Sequence, residues 1–134
     1  MPPLKDGIIY LKNEYANSLF KYNKLVLSTI KEVGDMVYIW YKDKIHACRI
    51  KEVLKTSHIN NIYSVSVSNH HKSRIKKEKF NSDAEQVQNI YRVYVGKKLK
   101  LFDVIQVPLR NRYLVTSVYE KHTKYSIVEL KPIK

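Results

Sequence analysis

Met36-Val37-Tyr38-Ile39-Trp40-Tyr41-Lys42-Asp43-Lys44-Ile45-His46-Ala47-Cys48-Arg49-Ile50 is the stretch on which the fold turns. Its first six residues are mostly β-branched or aromatic, with no glycine or proline, which suits a pleated and half-buried strand. Alternation puts Met36, Tyr38 and Trp40 on one face and Val37, Ile39 and Tyr41 on the other, and one of those faces must be core. Lys42-Asp43-Lys44 is a short polar break of the kind that joins two antiparallel strands. Beyond it a longer strand is expected from Ile45 to Thr56. Ile45, Ala47, Arg49 and Lys51 take one face and His46, Cys48 and Ile50 the other. The alternation falters at Val53-Leu54, where a bulge is expected.

Reading outward from this hairpin extends the pattern. Asn60-Asn61 is expected to turn the chain, and residues 62–68 alternate cleanly, completing a three-stranded meander over 33–68. Upstream, 1–7 reads as a loose arm, 8–12 as a short strand, 13–22 as a helix with Asn13 as its cap, and 24–31 as extended. Downstream, 69–89 is a polar, basic connecting segment in which 81–88 is expected to form one or two helical turns. Strand signals resume at 90–95, stop at Gly96, and return at about 102–109, 113–120 and 124–131, a second meander within 90–134. Laid on 103–121 without a gap, 35–53 matches in character: Asp35 on Asp103, Val37 on Ile105, Ile39 on Val107, Ala47 on Val115, Ile50 on Val118 and Glu52 on Glu120. After a deletion, Tyr63-Ser64-Val65 meets Tyr125-Ser126-Ile127. A duplication and the shared style of antiparallel meanders both account for the match. The expected fold is all-β or mostly β, a small barrel built from two three-stranded meanders, with 33–134 as one compact unit.

The start Val33-Gly34-Asp35-Met36-Val37-Tyr38, the basic hairpin and the Tyr63-Ser64-Val65 strand resemble the opening of small SH3-like barrels of the Tudor and KOW types. The resemblance covers about 33–68, and more weakly 101–131. It implies an SH3-like or related barrel and assigns no ligand. In its composition, rich in Lys, Asn, Ile and Tyr, the chain resembles small proteins of Bacteroidetes and their phages.

The 134 residues carry 25 Lys and Arg against 12 Asp and Glu, a formal net charge of +13. A hydrophobic fraction of 44% is that of an ordinary globular chain, so disorder over most of the length is not expected. No apolar run reaches the roughly 18 residues of a membrane span, and MPPLKDGIIY lacks the layout of a signal peptide. The expected location is the cytoplasm, or a virion. One cysteine, Cys48, permits neither an internal disulfide nor a multi-cysteine zinc site.

The chemistry for catalysis is thin. The carboxylates are scattered singly among Lys and Arg, and three dispersed glycines make no phosphate cradle. Cys48, in a strand interior, reads as a small hydrophobe rather than a nucleophile. His70 and His71, with His58 upstream, are the one visible candidate for a metal. Neighbours on a strand point to opposite faces, however, and Lys72 and Arg74 repel a cation. A solvated loop is expected there, with no metal, no cofactor and no enzymatic activity. What remains is the clustered charge. Residues 70–80 hold five Lys or Arg and one Glu, and 96–112 hold five and one Asp, so two windows supply +8 of the +13. Lys72, Arg74, Lys76, Lys77, Lys97, Lys98, Arg110 and Arg112 are the expected contacts to nucleic acid, DNA or RNA, with weak sequence preference. Tyr38, Trp40, Tyr41, Tyr91, Tyr94 and Tyr113 are available for stacking. The alternative is an assembly protein, a virion or other large-complex component, whose basic loop grips an acidic protein surface; an oligomer fits either reading.

Overall fold

Val37 and Ile39 turn inward and are buried, so the core face of the first strand is the one that also carries Tyr41. The computed structural model describes residues 7–82 and 85–133; most of the expected arm 1–7 lies outside them. The protein is mostly β, 53% strand against 8% helix, with curled, half-barrel sheet. Contacts divide it into two units, Met1–Ser68 and Asn69–Lys134. The expected single unit over 33–134 is therefore corrected: the division falls inside it, at the end of the first meander.

In the first unit β1 (Ile8–Tyr10) precedes a 3-10 turn (Asn13–Tyr15) and helix α1 (Ala16–Tyr22). β2 (Lys24–Leu27), β3 (Met36–Tyr41), β4 (Lys44–Lys55) and β5 (Asn61–Val67) follow. They form one sheet in the order β1-β3-β4-β5-β2, with β1 parallel to β3 and the rest antiparallel. Lys42 and Asp43 both have positive φ (49° and 60°), the geometry of a two-residue hairpin whose twist matches its strands. The expected bulge is present: the β4–β5 register shifts between Ile50 and Glu52 and again between Val53 and Lys55. Helix α1 ends at Asn23, whose φ of 56° and N–H bond to the Leu19 carbonyl close the last turn. Leu19 enters the core beside Leu25, Leu27, Ile50, Tyr63 and Val65.

Asn61 is not a turn residue. It opens β5 and is fully buried, with its amide Nδ2 directed at the Leu27, Ser28 and Thr29 carbonyls and its Oδ1 accepting the Ser57 N–H. Tyr63, also fully buried, donates its hydroxyl to the Thr29 carbonyl at 3.0 Å and accepts the Lys31 N–H at 2.8 Å. Tyr63→Phe keeps the ring and strands both partners. It is expected to lower unfolding free energy by about 1–2 kcal/mol, read from the denaturant midpoint at unchanged slope.

His46 shares the inner row with Ile39 and lies under Phe20, ring centroids 4.8 Å apart. Burial, then the neighbouring Lys44, push its pKa down, against a smaller upward effect of the Ser68 backbone. A lowered pKa means the unfolded chain takes the proton first. This share of stability is therefore whole above about pH 6.5 and declines as pH falls from there toward the folded-state pKa. His46→Gln is expected to flatten the thermal midpoint between about pH 7 and 5 relative to wild type; equal slopes would refute this.

The second unit comprises β6 (His70–Lys72), β7 (Ile75–Lys77), β8 (Phe80–Ser82), β9 (Glu85–Val87) and β10 (Ile90–Val93). β11 (Val104–Gln106), β12 (Arg112–Lys121) and β13 (Ser126–Ile133) complete it. Its large sheet runs β6-β11-β12-β13-β10-β7, and among the described residues β8 and β9 pair only with each other. The expected helical turns at 81–88 are thus corrected, for the described residues, to an antiparallel pair; 83 and 84 lie outside them. The expected connecting segment 69–89 is not a linker, because β6 and β7 are the two edges of the sheet. They are also consecutive in the chain, separated by Ser73 and Arg74. Ser73 N–H donates to the Gln106 carbonyl on one edge, and the Arg74 carbonyl accepts Tyr94 N–H from the other. A span of at most about 11 Å between Cα atoms 72 and 75 forces this sheet to curl until one strand serves both edges.

The two units share a plan. β1 and β6 are parallel to β3 and β11, meanders β3-β4-β5 and β11-β12-β13 follow, and β2 and β10 each pair with the last strand. Details repeat. Gly34 and Phe102 both have positive φ and donate to Ile50 and Val115 carbonyls. The Asp35 and Asp103 carboxylates accept the N–H three residues back. Asn23 and Asn89 have positive φ, and their carbonyls accept Val65 and Leu130 N–H. Asn61 and Ser126 are buried polar residues at the start of the last strand. The gapless alignment is corrected beyond the hairpin. Val37 and Ile39 correspond to Ile105 and Val107, 68 residues on, but Ile50, Tyr63 and Val65 correspond to Val115, Val128 and Leu130, 65 on. The second hairpin is three residues shorter, and its paired register shifts, between Val115 and Ser117 and between Val118 and Glu120, fall at the matching places.

Candidate nucleic-acid interface

The +13 is unequally shared. Asn69–Lys134 has 15 Lys and Arg against 6 Asp and Glu, so +9 lies in the second unit. The continuous run β6–Ser73–Arg74–β7 carries much of it. Ser73 is buried and Ile75 packs on the second core of Val93, Leu99, Ile105, Val115 and Val128, so alternation turns Lys72, Arg74 and Lys76 outward, and all three are exposed. Because this run serves both edges, its outward side chains have neighbours on each flank. On one side Lys72 is in register with Gln106, and Gln106 with Arg112. Two strand spacings put Lys72 and Arg112 about 10 Å apart at the backbone. On the other side the Arg74 guanidinium lies over the Tyr94 ring at 4.6 Å, and Lys76 is in register with Arg92.

Arg92 lies over Tyr125 at 4.2 Å, and its Nε is 2.8 Å from Glu78 Oε1. Tyr125 in turn stacks near His122, centroids 4.5 Å apart, and His122 Nε2 is 3.2 Å from Glu120 Oε1. Arg92 is thus partly neutralised, whereas no carboxylate lies within ion-pair distance of Lys72, Arg74 or Lys76 among the described residues. The surface alternates cations with aromatic rings, and Tyr94 is 37% exposed, enough to offer a ring face.

Lys97 and Lys98 are exposed in the loop after β10. Gly96 fixes that loop. A Cβ there would fall 2.0 Å from the Thr123 carbonyl oxygen, so the backbones of 96 and 122–123 touch, and Ser126 Oγ donates to the Gly96 carbonyl at 3.0 Å. Lys97 and Lys98 are thereby held beside the turn that bears Lys121 and Lys124. Arg110 is exposed in the β11–β12 turn, which Gln106 Nε2 staples through the Val107 and Arg110 carbonyls. Lys77 is in the row of Tyr91, opposite in parity to Lys76, and does not join the stripe.

Of the expected contacts, Lys72, Arg74, Lys76 and Arg112 are brought together, Lys97, Lys98 and Arg110 lie in flanking loops, and Lys77 stands apart. Of the expected stacking residues in this unit, Tyr91 and Tyr113 instead pack against the core, rings 6.1 Å apart. Arg92, Tyr125 and His122 were not singled out from the sequence; their signal is alternation along β10, which puts Arg92 and Tyr94 on one face.

His70 and His71 are in a strand, not a solvated loop. His71 Nε2 is 3.0 Å from Oδ2 of the buried Asp103, whose oxygens also accept Lys100 and Asn69 N–H. No group of three or more potential metal ligands occurs among the described residues. Cys48 is fully buried, and burial pushes its thiol pKa up to about 12, so it is a protonated core residue at neutral pH. No described helix is long and apolar enough to cross a membrane. No family model, curated protein or solved structure matches the chain.

Proposed function

We propose that the protein is a non-enzymatic module that contacts nucleic acid through the second unit, with weak sequence preference and with single strands favoured over duplex. The observation that carries this reading is the stripe Arg112–Lys72–Arg74–Lys76, interleaved with Tyr94 and beside Arg92 on Tyr125. Fixed cations spaced along a strand can follow a phosphate backbone, and ring faces between them can take unpaired bases. The stripe has no convergent donor set for reading base edges in a groove, and phosphate contacts by themselves carry no sequence information.

The test is anisotropy with labelled single-stranded and duplex oligonucleotides of unrelated sequence. Log affinity is expected to fall linearly with log salt between about 50 and 200 mM, with a slope of roughly −3 on single strands if four phosphates are neutralised. No binding at about 50 mM salt overturns the proposal.

A second reading, assembly into a larger complex, is favoured by apolar loop tips: Leu109 fully exposed at a φ of 61°, Ile30 at 76% and Ile59 at 75% exposure. It predicts a stable oligomer or a co-purifying partner. A clean monomer at high concentration would refute it.

A further inference from the structure

In the second unit β7 lies along the outer edge of β10, while the first unit has no described strand at the matching place. There the edges β1 and β2 enclose a cavity of about 290 Å³. Residues 9–12 and 25–29 line it in unbroken succession, with Tyr15 and Asn60. Consecutive lining residues mean that its walls are strand backbone as well as one row of side chains. The Asn23 carbonyl accepts Val65 N–H, and the β2–β5 register then gives Leu25 and Leu27 the bonds to β5. Lys24 and Val26 are left with N–H and C=O turned toward the cavity side, an unpaired edge among the described residues.

The geometry points to this seam as a site for strand addition, in which an extended peptide of another protein pairs antiparallel with β2. The internal template fixes the register. Leu25 and Leu27 correspond to Tyr91 and Val93, so the residues facing Lys77, Lys76 and Ile75 across β10 correspond to Leu25, Val26 and Leu27. The parity agrees independently: β7 bonds through Tyr94 N–H and the Ile90 carbonyl, whose counterparts are Ser28 and Lys24 on the free side of β2. Ile75 opposite Val93 packs on the second core, so the incoming strand needs an apolar residue opposite Leu27, where Ile9, Leu11 and Leu25 receive it. Residues 8–31 carry Lys12, Lys21, Lys24 and Lys31 against Glu14, with Lys12 and Lys24 exposed on the two edges. The partner segment is therefore extended, apolar at its centre and acidic at its flanks.

The probe is a heptapeptide copying residues 72–78, centred on Ile75, with Lys72, Arg74, Lys76 and Lys77 each replaced by Glu. Titrated into the full chain and followed by amide NMR, it is expected to shift residues 9–12 and 24–29 saturably. N-methylation at the position of Lys76, which removes the N–H that would bond Val26, is expected to weaken binding at least tenfold. Val26→Pro removes the matching donor from an edge that tolerates proline, and is expected to do the same. Shifts confined to Asn69–Lys134, no saturable shifts, or equal binding of the N-methylated peptide would each overturn the inference. This test is independent of nucleic-acid binding, because it reads the other unit.

Discussion

The variant Lys72→Ala, Arg74→Ala, Lys76→Ala, Arg112→Ala is expected to lose nucleic-acid affinity by a few hundredfold on a single strand at about 0.1 M salt. Each lost phosphate contact also removes roughly 0.7 from the salt slope, so the slope should flatten by about 3. Lys72, Arg74 and Lys76 are exposed and have no carboxylate partner among the described residues, so their removal strands no buried charge and should leave stability within about 0.5 kcal/mol; Arg112 is half-buried, so the triple variant without it is the control for folding. The decisive control removes the same net charge from the first unit. Lys42, Lys44, Lys51 and Lys55 are exposed, and their fourfold change to alanine is expected to leave most of the affinity. If both variants weaken binding equally, the charge acts as a diffuse field and the stripe is not an interface. Tyr94→Ala separates stacking from charge: a loss of about 1–3 kcal/mol on single strands, with little change on duplex and an unchanged salt slope, is expected.

Gly96→Ala is expected to be the most damaging small substitution, lowering the stability of the second unit by roughly 3 kcal/mol, the upper range for forcing atoms into a packed site. The added Cβ would meet the Thr123 carbonyl oxygen and carbon and the His122 carbonyl oxygen, all backbone, so no side-chain rotation relieves the clash. Separation of the two segments would also remove the Ser126–Gly96 hydrogen bond and release Lys97 and Lys98 from the turn beside them. Hydrogen exchange locates the effect: protection should fall in β10, β12 and β13. Gly34 is the control. Its φ of +96° strains any side chain, but the space around it is open, so Gly34→Ala is expected to cost about 1 kcal/mol. Phe102, at the corresponding turn with positive φ, already carries a large side chain there. A milder effect at Gly96 than at Gly34 would contradict the packing argument.

How much of this was legible depends on the range of the interaction. The strands at 36–41, 44–55, 61–67 and 112–121 follow from alternation and turn chemistry, both local, and the bulge near Leu54 follows from a break in the same pattern. The segment 81–88 failed because capping-type residues also suit turns, so short polar stretches leave helix and hairpin equally open. The repeat was visible but out of register beyond the hairpin. Ala47 and Ile50 are both buried although they lie on opposite faces of β4, Ala47 in the row of Tyr38 and Ile50 in that of Cys48 and Val37, so a three-residue shift still matched apolar with apolar. The basic residues were legible as a cluster, but not which of them share a face. That depends on one strand serving both edges of a sheet.

By itself, then, the sequence determined the β class, the hairpin at Lys42-Asp43, and the concentration of cations after residue 69, because these rest on side-chain period, backbone preference and charge. The tertiary structure decided three things. It divided the chain at Ser68–Asn69. It set Arg112 and Tyr94 on opposite flanks of the Lys72–Lys76 run. Among the described residues, it left the edge of β2 unpaired where β10 has β7. Each is a matter of which strands become neighbours, and pairing between residues 20 to 40 positions apart leaves no periodic trace in either partner.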